Sequence, residues 1–469
     1  MRRGLGLALL AGACALLTSP VLAGPPPVAQ AAPARLAVDM QYFTMPSGLK
    51  VVMARDTLAP TVTVGVYYGI GFRVEPRERT GFAHLFEHLM FQGSANAPKG
   101  VFDTTITNVG GVNNGSTRFD FTNYFEITPS NALERLLWLE ADRMARPVID
   151  DVVLKNQQGV VANEVKVNVL NQPYGGWPWI DLPMLANTNW HNAHNFYGDL
   201  DQLEAATVAD SKQFFDNYYR PSNAVLVVAG DLDYAATRAM VEKYFGAMPA
   251  KPKVAQPDIS EPRQTAPKFL SRVDKLAPRP GYSAGYHVPA RGTPEWYAMG
   301  LIDQMLVQGD DSRLYAKLVQ EEGVTGSLDG GINALGNMFN YQGPMLWAFS
   351  FQHDPSVGHE AITTLVDSVV EDLRTKPVST AELDRARTKM RSALYSTVDG
   401  PGRVGLIDLL AVYALFDDDP QAINRIEDGF AKVTPALIQK TAQEYLRPTN
   451  RSIHVIQPGA AAPAAAGAQ

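Results

Sequence analysis

The sequence predicts a fold of mixed strands and helices that is built twice in one chain. Three observations carry this expectation. Runs rich in β-branched and aromatic residues stand between helical stretches in both halves. Segments recur: Tyr218-Tyr219-Arg220-Pro221-Ser222-Asn223 and its strand-like 224–229 return as Tyr445-Leu446-Arg447-Pro448-Thr449-Asn450 and 452–456, while 84–93 returns as 300–309. Between the halves, Pro249, Pro252, Pro257, Pro262 and Pro267 recur in a polar setting, the mark of a linker.

Composition narrows the class. The chain has 469 residues, 46% hydrophobic and 19% charged, ordinary for a soluble globular protein. Its net charge of -7 argues against a nucleic-acid partner. Arg2 and Arg3, an apolar run over 4–18 too short to span a bilayer, and Val21-Leu22-Ala23 read as a cleaved export signal over 1–23. The single cysteine, Cys14, lies inside it, so the mature chain has no disulfide. No other run is long enough for a membrane span, and a bacterial periplasmic location is expected.

In order, 24–40 is a Pro/Ala-rich flexible leader. Strands are expected over 50–54 and 61–68. A short helix runs from Gly81 to Phe91, stopped by Gly93. Residues 109–117 are turn-rich, and 119–127 alternates as a half-buried strand. Helices follow over 131–144 and about 151–170, then a helix end near Phe214 and the strand 224–229. The expected organisation is a first domain over 41–248, a linker over 249–267, a second domain over 268–457 and a disordered tail over 458–469.

The chemistry concentrates in Thr80–Gly93. His84 and His88 are four residues apart, so they share one helical face and can chelate one divalent metal. Neutral imidazole suits Zn²⁺. Glu87 reaches the same open side, where a carboxylate can take a proton from a zinc-activated water. The alternative is an exposed polar helix face. Leu85, Phe86, Leu89, Met90 and Phe91 weigh against it, because they mark the helix as buried and buried ionisable groups need partners. In the second copy, Gly300, Asp303 and Gln304 replace His84, Glu87 and His88, leaving one working site. Spacing leaves the third ligand open among Glu126, Glu134, Glu140 and Glu164.

These residues carry a resemblance. His84-Leu85-Phe86-Glu87-His88 is the H-x-x-E-H arrangement of the inverzincins, and Thr80–Gly93 resembles the insulinase/pitrilysin-type zinc peptidases, which include the mitochondrial processing peptidase. Gly110-Gly111, Asn114, Thr117, Thr122 and Tyr124 resemble that family's substrate-edge strand, and Ser312-Arg313-Leu314-Tyr315 a helix of its second domain. The resemblance implies an α+β fold of two homologous rolls, each a mixed, mostly antiparallel sheet with helices on one face, closing with a partner into a chamber. It implies Glu164, 76 positions after His88, as the third ligand of Zn²⁺, and Glu87 as general base. It implies peptide substrates held as an added strand, with Asn114 and Gly115 as the candidate edge.

Two departures shape the expected function. Gln157 stands where the family often has a glutamate beside the site, so it can hydrogen-bond there without adding charge. Val319 and Gly326 stand where active members carry an arginine and a tyrosine that hold the peptide and polarise its carbonyl. The expectation is therefore a zinc endopeptidase subunit in a heterodimer, whose related partner supplies the arginine and tyrosine. A homodimer is the second choice. The alternative from another class is a non-catalytic, zinc-binding peptide-binding or assembly subunit.

Overall fold

The computed structural model describes residues 35–252 and 255–459. The expected export signal, most of the expected leader and residues 460–469 of the expected tail lie outside the described residues. β1 (Met40–Thr44), β2 (Lys50–Arg55), β3 (Thr61–Tyr68), β4 (Val112–Thr117), β5 (Thr122–Pro129) and β6 (Ala224–Gly230) form one sheet in the order β1-β2-β6-β3-β5-β4. β7 (Lys268–Asp274), β8 (Gly281–His287), β9 (Asp329–Ile332), β10 (Leu346–Gln352) and β11 (Arg451–Pro458) form a second, in the order β7-β11-β8-β10-β9. β2 runs parallel to β6, and β7 parallel to β11; every other neighbouring pair is antiparallel. Without β1 the two orders are the same and the parallel pair falls in the same place. The recurrence read in the sequence is thus a recurrence of topology, and the fold is the expected pair of mixed, mostly antiparallel sheets with helices.

Each half sets its own helices against one face of its sheet. In the first half, α1 (Phe82–Leu89) and α2 (Leu133–Ala145) bury Phe82, Leu85, Phe86, Leu136 and Leu137 with Val62, Val64, Val66, Leu226 and Val228 of the strands. α3 (Asp151–Val165) lies beside α1. The opposite face is not bare. It is covered by a helix from the other half, which the sequence did not announce. α4 (Asp181–Ala186), from the first half, packs on β8 and β11. In the second half come α5 (Pro294–Leu306), α6 (His359–Thr375), α7 (Thr380–Val398) and α8 (Val404–Asp417), and α8 packs on β2, β3 and β6.

This exchange has a sequence cause. α8 is apolar nearly all round, with nine residues from Leu406 to Leu415 buried, as a helix between two layers must be. β6 is buried along its whole length and so shows no alternation. Small residues on the sheets admit the visiting helices. A Cβ on Gly65 would stand 2.8 Å from Ile407, one on Gly285 would stand 3.1 Å from Leu182, and one on Gly281 would meet the Trp177 ring at 3.0 Å.

Some expected elements shift. Residues 112–117, read as part of a turn-rich stretch, are strand β4. Its Asn113, Asn114 and Ser116 look like turn residues because an edge strand has no need of apolar side chains on its open side. The strand expected from Phe119 starts at Thr122, after a tight turn closed by the Arg118 N–H donating to the Phe121 carbonyl at 2.8 Å. The helix expected to Leu170 ends its α-helical part at Val165 and continues as a π-helical turn over Lys166–Leu170. Within the expected leader, Leu36 and Val38 donate their N–H groups to Glu427 (2.9 Å) and Asn424 (2.7 Å).

Asp303 on α5 generates a prediction. Burial pushes its carboxyl up to about 6, although Trp347 Nε1 donates to it at 2.8 Å and Gln308 Nε2 at 3.3 Å. Between the ordinary value of 3.8 and about 6 the folded chain holds a proton that the unfolded chain has released. The group's contribution to stability is therefore complete below pH 3.8 and lost as pH rises through 6. Asp303→Asn keeps an acceptor for Trp347 and removes the titration. It is expected to stabilise the fold at pH 8, by about 3 kcal/mol at most, and to change little at pH 4. Urea melts at the two pH values check this; equal shifts at both would contradict it.

Candidate metal centre

α1 starts at Gly81, whose φ of 82° suits glycine. The Glu75 carboxylate accepts the N–H groups of Gly81 at 2.8 Å and Ala83 at 2.5 Å, placing negative charge at the open end of the helix. Burial raises the Glu75 carboxyl above its usual range, and His194 Nε2 stands 3.8 Å from it. On the helix so anchored, His84 and His88 turn toward α3, where Glu164 sits in the last turn.

The structure brings His84, His88 and Glu164 together. The two Nε2 atoms are 3.3 Å apart, His88 Nε2 is 3.2 Å from Glu164 Oε2, and His84 Nε2 is 3.5 Å from Glu164 Oε1. A tetrahedral zinc ion with ligands at 2.0–2.1 Å needs ligand atoms about 3.3–3.4 Å apart. The donor set therefore fits zinc by type, and the two imidazole nitrogens by spacing, with one ligand atom from each of the three residues within 4.8 Å of the others. Burial, with His88 close by, pushes the His84 imidazole down to about 4, so it is neutral at pH 7. The hydrogen bond from His88 holds the Glu164 carboxyl below its usual range, so it is ionised. Both are in the state a metal ligand requires. Of the four glutamates that spacing left open, Glu126 and Glu140 are instead buried against Arg143, and Glu134 pairs with Lys243.

Glu87 lies on the same helix, its carboxyl raised by burial. Thr117, at the end of β4, donates to its Oε2 at 2.8 Å and leaves Oε1 for another partner. Asn114 and Gly115 are on β4, which pairs with β5 alone and is the open edge of the sheet. The Gly115 N–H donates to Asn114 Oδ1 at 2.9 Å. A Cβ on Gly115 would stand 3.1 Å from Phe91, so the strand lies close against the end of α1. Gln157 is buried on α3, two turns before Glu164. Its amide donates to Asn156 at 2.8 Å, and among the described residues no hydrogen bond joins it to His84, His88 or Glu164. Val319 and Gly326 offer no side-chain donor; Gly326 faces open space.

Sequence reasoning missed two residues. Glu75 is one. The other is Tyr197, whose hydroxyl donates to Glu164 Oε1 at 3.2 Å and whose ring meets His84 edge-on at 5.1 Å. Burial pushes that hydroxyl up to about 12, so it stays a donor. The available signal was Phe196-Tyr197-Gly198, aromatics before a glycine. Gly198 has φ 70°, and a Cβ there would stand 2.2 Å from the Gly81 nitrogen. The Asp199 N–H donates to the Thr80 hydroxyl at 2.9 Å, binding this loop to the start of α1.

A cavity of about 540 Å³ lies beside α5, β9 and α7, lined by residues of both halves, among them Trp179, Leu182, Asp303, Gln304, Met338 and Met390. It has no histidine in its lining, so it is not the candidate metal centre; its Trp179 packs on Tyr197 at 5.9 Å.

Comparison with known proteins identifies the family. Residues 50–174 match the model of insulinase (peptidase family M16), and residues 205–390 match that of the peptidase M16 inactive domain. The chain carries M16 (insulinase) family domains. It is 25% identical to zinc protease PqqE of Helicobacter pylori over 428 residues, 89% of this chain and 93% of that one. It is 21% identical to the mitochondrial-processing peptidase subunit beta of Saccharomyces cerevisiae, over 76% of this chain and 78% of that one. The crystal structure of a protease from Helicobacter pylori superimposes with a TM-score of 0.82 at 25% identity, covering 90% of this chain and all of that chain. The M16 inactive-domain match falls largely on the half in which Gly300 and Gln304 replace the two histidines.

The contact between Gly198 and Gly81 is testable. Gly198→Ala forces one backbone off the other, because neither can yield as a flexible side chain would. It is expected to cost about 3 kcal/mol or more, read as a lower urea midpoint. A midpoint unchanged from wild type would contradict the contact.

Proposed function

We propose that this protein is a zinc metallopeptidase subunit that cleaves peptides or unfolded polypeptides. The observation that carries the reading is the convergence of His84, His88 and Glu164, with the two Nε2 atoms 3.3 Å apart and the Glu164 oxygens 3.2 Å from His88 and 3.5 Å from His84, beside the half-buried carboxylate of Glu87. The three residues would hold zinc. When bound, zinc supplies a Lewis acid that brings the pKa of a water near 7. Glu87 takes the proton of the attacking water on Oε1, since Oε2 is engaged by Thr117, and passes it to the leaving amine. The substrate backbone pairs with the open edge of β4 at Asn114 and Gly115, displacing the Asn114 side chain from the Gly115 N–H. Gln157 supports α3 from within.

Within this reading the enzyme works as the zinc-bearing half of a heterodimer. Val319 and Gly326 supply no donor to a substrate carbonyl, so a related chain lends the arginine and tyrosine. The export signal over 1–23 supports a periplasmic setting. The boundaries at 248 and 268 mark the two halves, with the second serving as a frame.

The test is cleavage of an unstructured fluorogenic peptide by the chain alone and mixed with its candidate partner, with and without a chelator. Chelator-sensitive cleavage is expected in the mixture, and Glu87→Gln is expected to lower it by about 10²–10⁴-fold with zinc content unchanged. Strong cleavage by the chain alone overturns the need for a partner. Absence of cleavage in every mixture, with zinc bound, favours a non-catalytic peptide-binding subunit.

A further inference from the structure

Glu164 faces a problem of placement. It is the long, flexible member of the triad, and it comes from a different helix than the histidines. It also sits in the last turn of α3, directly before the π-helical turn Lys166–Leu170, where backbone hydrogen bonding changes pattern. Left alone, its carboxylate could swing.

Tyr197 answers this. Its hydroxyl donates to Oε1 at 3.2 Å; the same oxygen stands 3.5 Å from His84 Nε2, and Oε2 stands 3.2 Å from His88 Nε2. The tyrosine is itself fixed on two sides. Its ring packs against Phe196 at 4.9 Å, His84 at 5.1 Å and Trp179 at 5.9 Å. Its backbone runs into Gly198, which touches Gly81 so closely that neither position has room for a Cβ. Thr80, beside Gly81, accepts from the Asp199 N–H at 2.9 Å and donates to Gln202 Oε1 at 3.0 Å. The hydroxyl is therefore referenced to the start of the same helix that carries His84 and His88.

We infer that Tyr197 is a positioning residue that ties Glu164 to the metal helix. The inference rests on the metal reading proposed above. Outer hydrogen bonds of this kind are worth about 10–100-fold in metal affinity.

The experiment measures zinc affinity of the purified full chain by competition with a chromophoric chelator, for the wild type, Tyr197→Phe, Glu164→Gln and the double variant. Tyr197→Phe keeps the ring and removes only the donor. It is expected to weaken zinc binding about 10–100-fold, to leave the metal-free urea midpoint unchanged and to alter the visible spectrum of the Co²⁺-substituted protein. In the Glu164→Gln background the same change is expected to cost less than about twofold, because the carboxylate it positions is gone. Wild-type affinity in Tyr197→Phe overturns the inference. So does an equal loss in both backgrounds, or a metal-free midpoint that falls with affinity, since either marks a structural role. Wild-type affinity in Glu164→Gln overturns the metal reading itself, and this inference with it.

Discussion

Everything in the candidate centre depends on how the start of α1 is held. The helix is short, its own hydrogen bonds are few, and it carries two histidines whose separation must be kept to a fraction of an ångström. Glu75 holds its first N–H groups, and the backbone of Gly198 presses on Gly81. Without those contacts the histidines would still be one turn apart, but nothing would set their distance from a carboxylate on another helix. The sheet beneath supplies the rest, through Val62, Val64 and Val66 packed on Phe82, Leu85 and Phe86.

The two halves illustrate how one topology can carry a site in one copy and none in the other. α5 occupies in its half the place of α1, and its buried polar groups are Asp303 and Gln304 in place of Glu87 and His88. Asp303 is held by Trp347 and Gln308 and faces a largely apolar cavity, not a set of donors. The helices exchanged between halves bind them together. α8 packs on β2, β3 and β6 of the first sheet and α4 on β8 and β11 of the second, so the central strands β6, β8 and β11 are buried nearly throughout. A site on the first half thus rests on a frame completed by the second.

Much of the fold was legible in the sequence. β2, β3 and β6 show as β-branched runs because they are buried strands, and α1 and α2 show by their apolar spacing. The duplication was visible because the Arg-Pro-Ser/Thr-Asn turn recurs before an equivalent strand in each half. β4 was less legible: Asn113, Asn114, Gly115 and Ser116 favour turns locally, and only pairing with β5 makes them a strand. The exchange of α4 and α8 was not legible, because an apolar helix does not say which sheet it will cover.

The same division holds at the site. Sequence alone determined that His84, Glu87 and His88 share a helix face, since four-residue spacing on a helix dictates it, and that the second copy has no such set. Spacing left the third carboxylate open and only the family resemblance pointed to Glu164; the tertiary structure brings Glu164 to the histidines and packs Glu126, Glu134 and Glu140 elsewhere. It also decided the roles of Tyr197 and Glu75, which lie 109 residues after and 13 residues before His88 by number. Local spacing is set by backbone geometry that each segment carries with it. Contacts across the chain are set by packing, which exists only when the whole fold has formed.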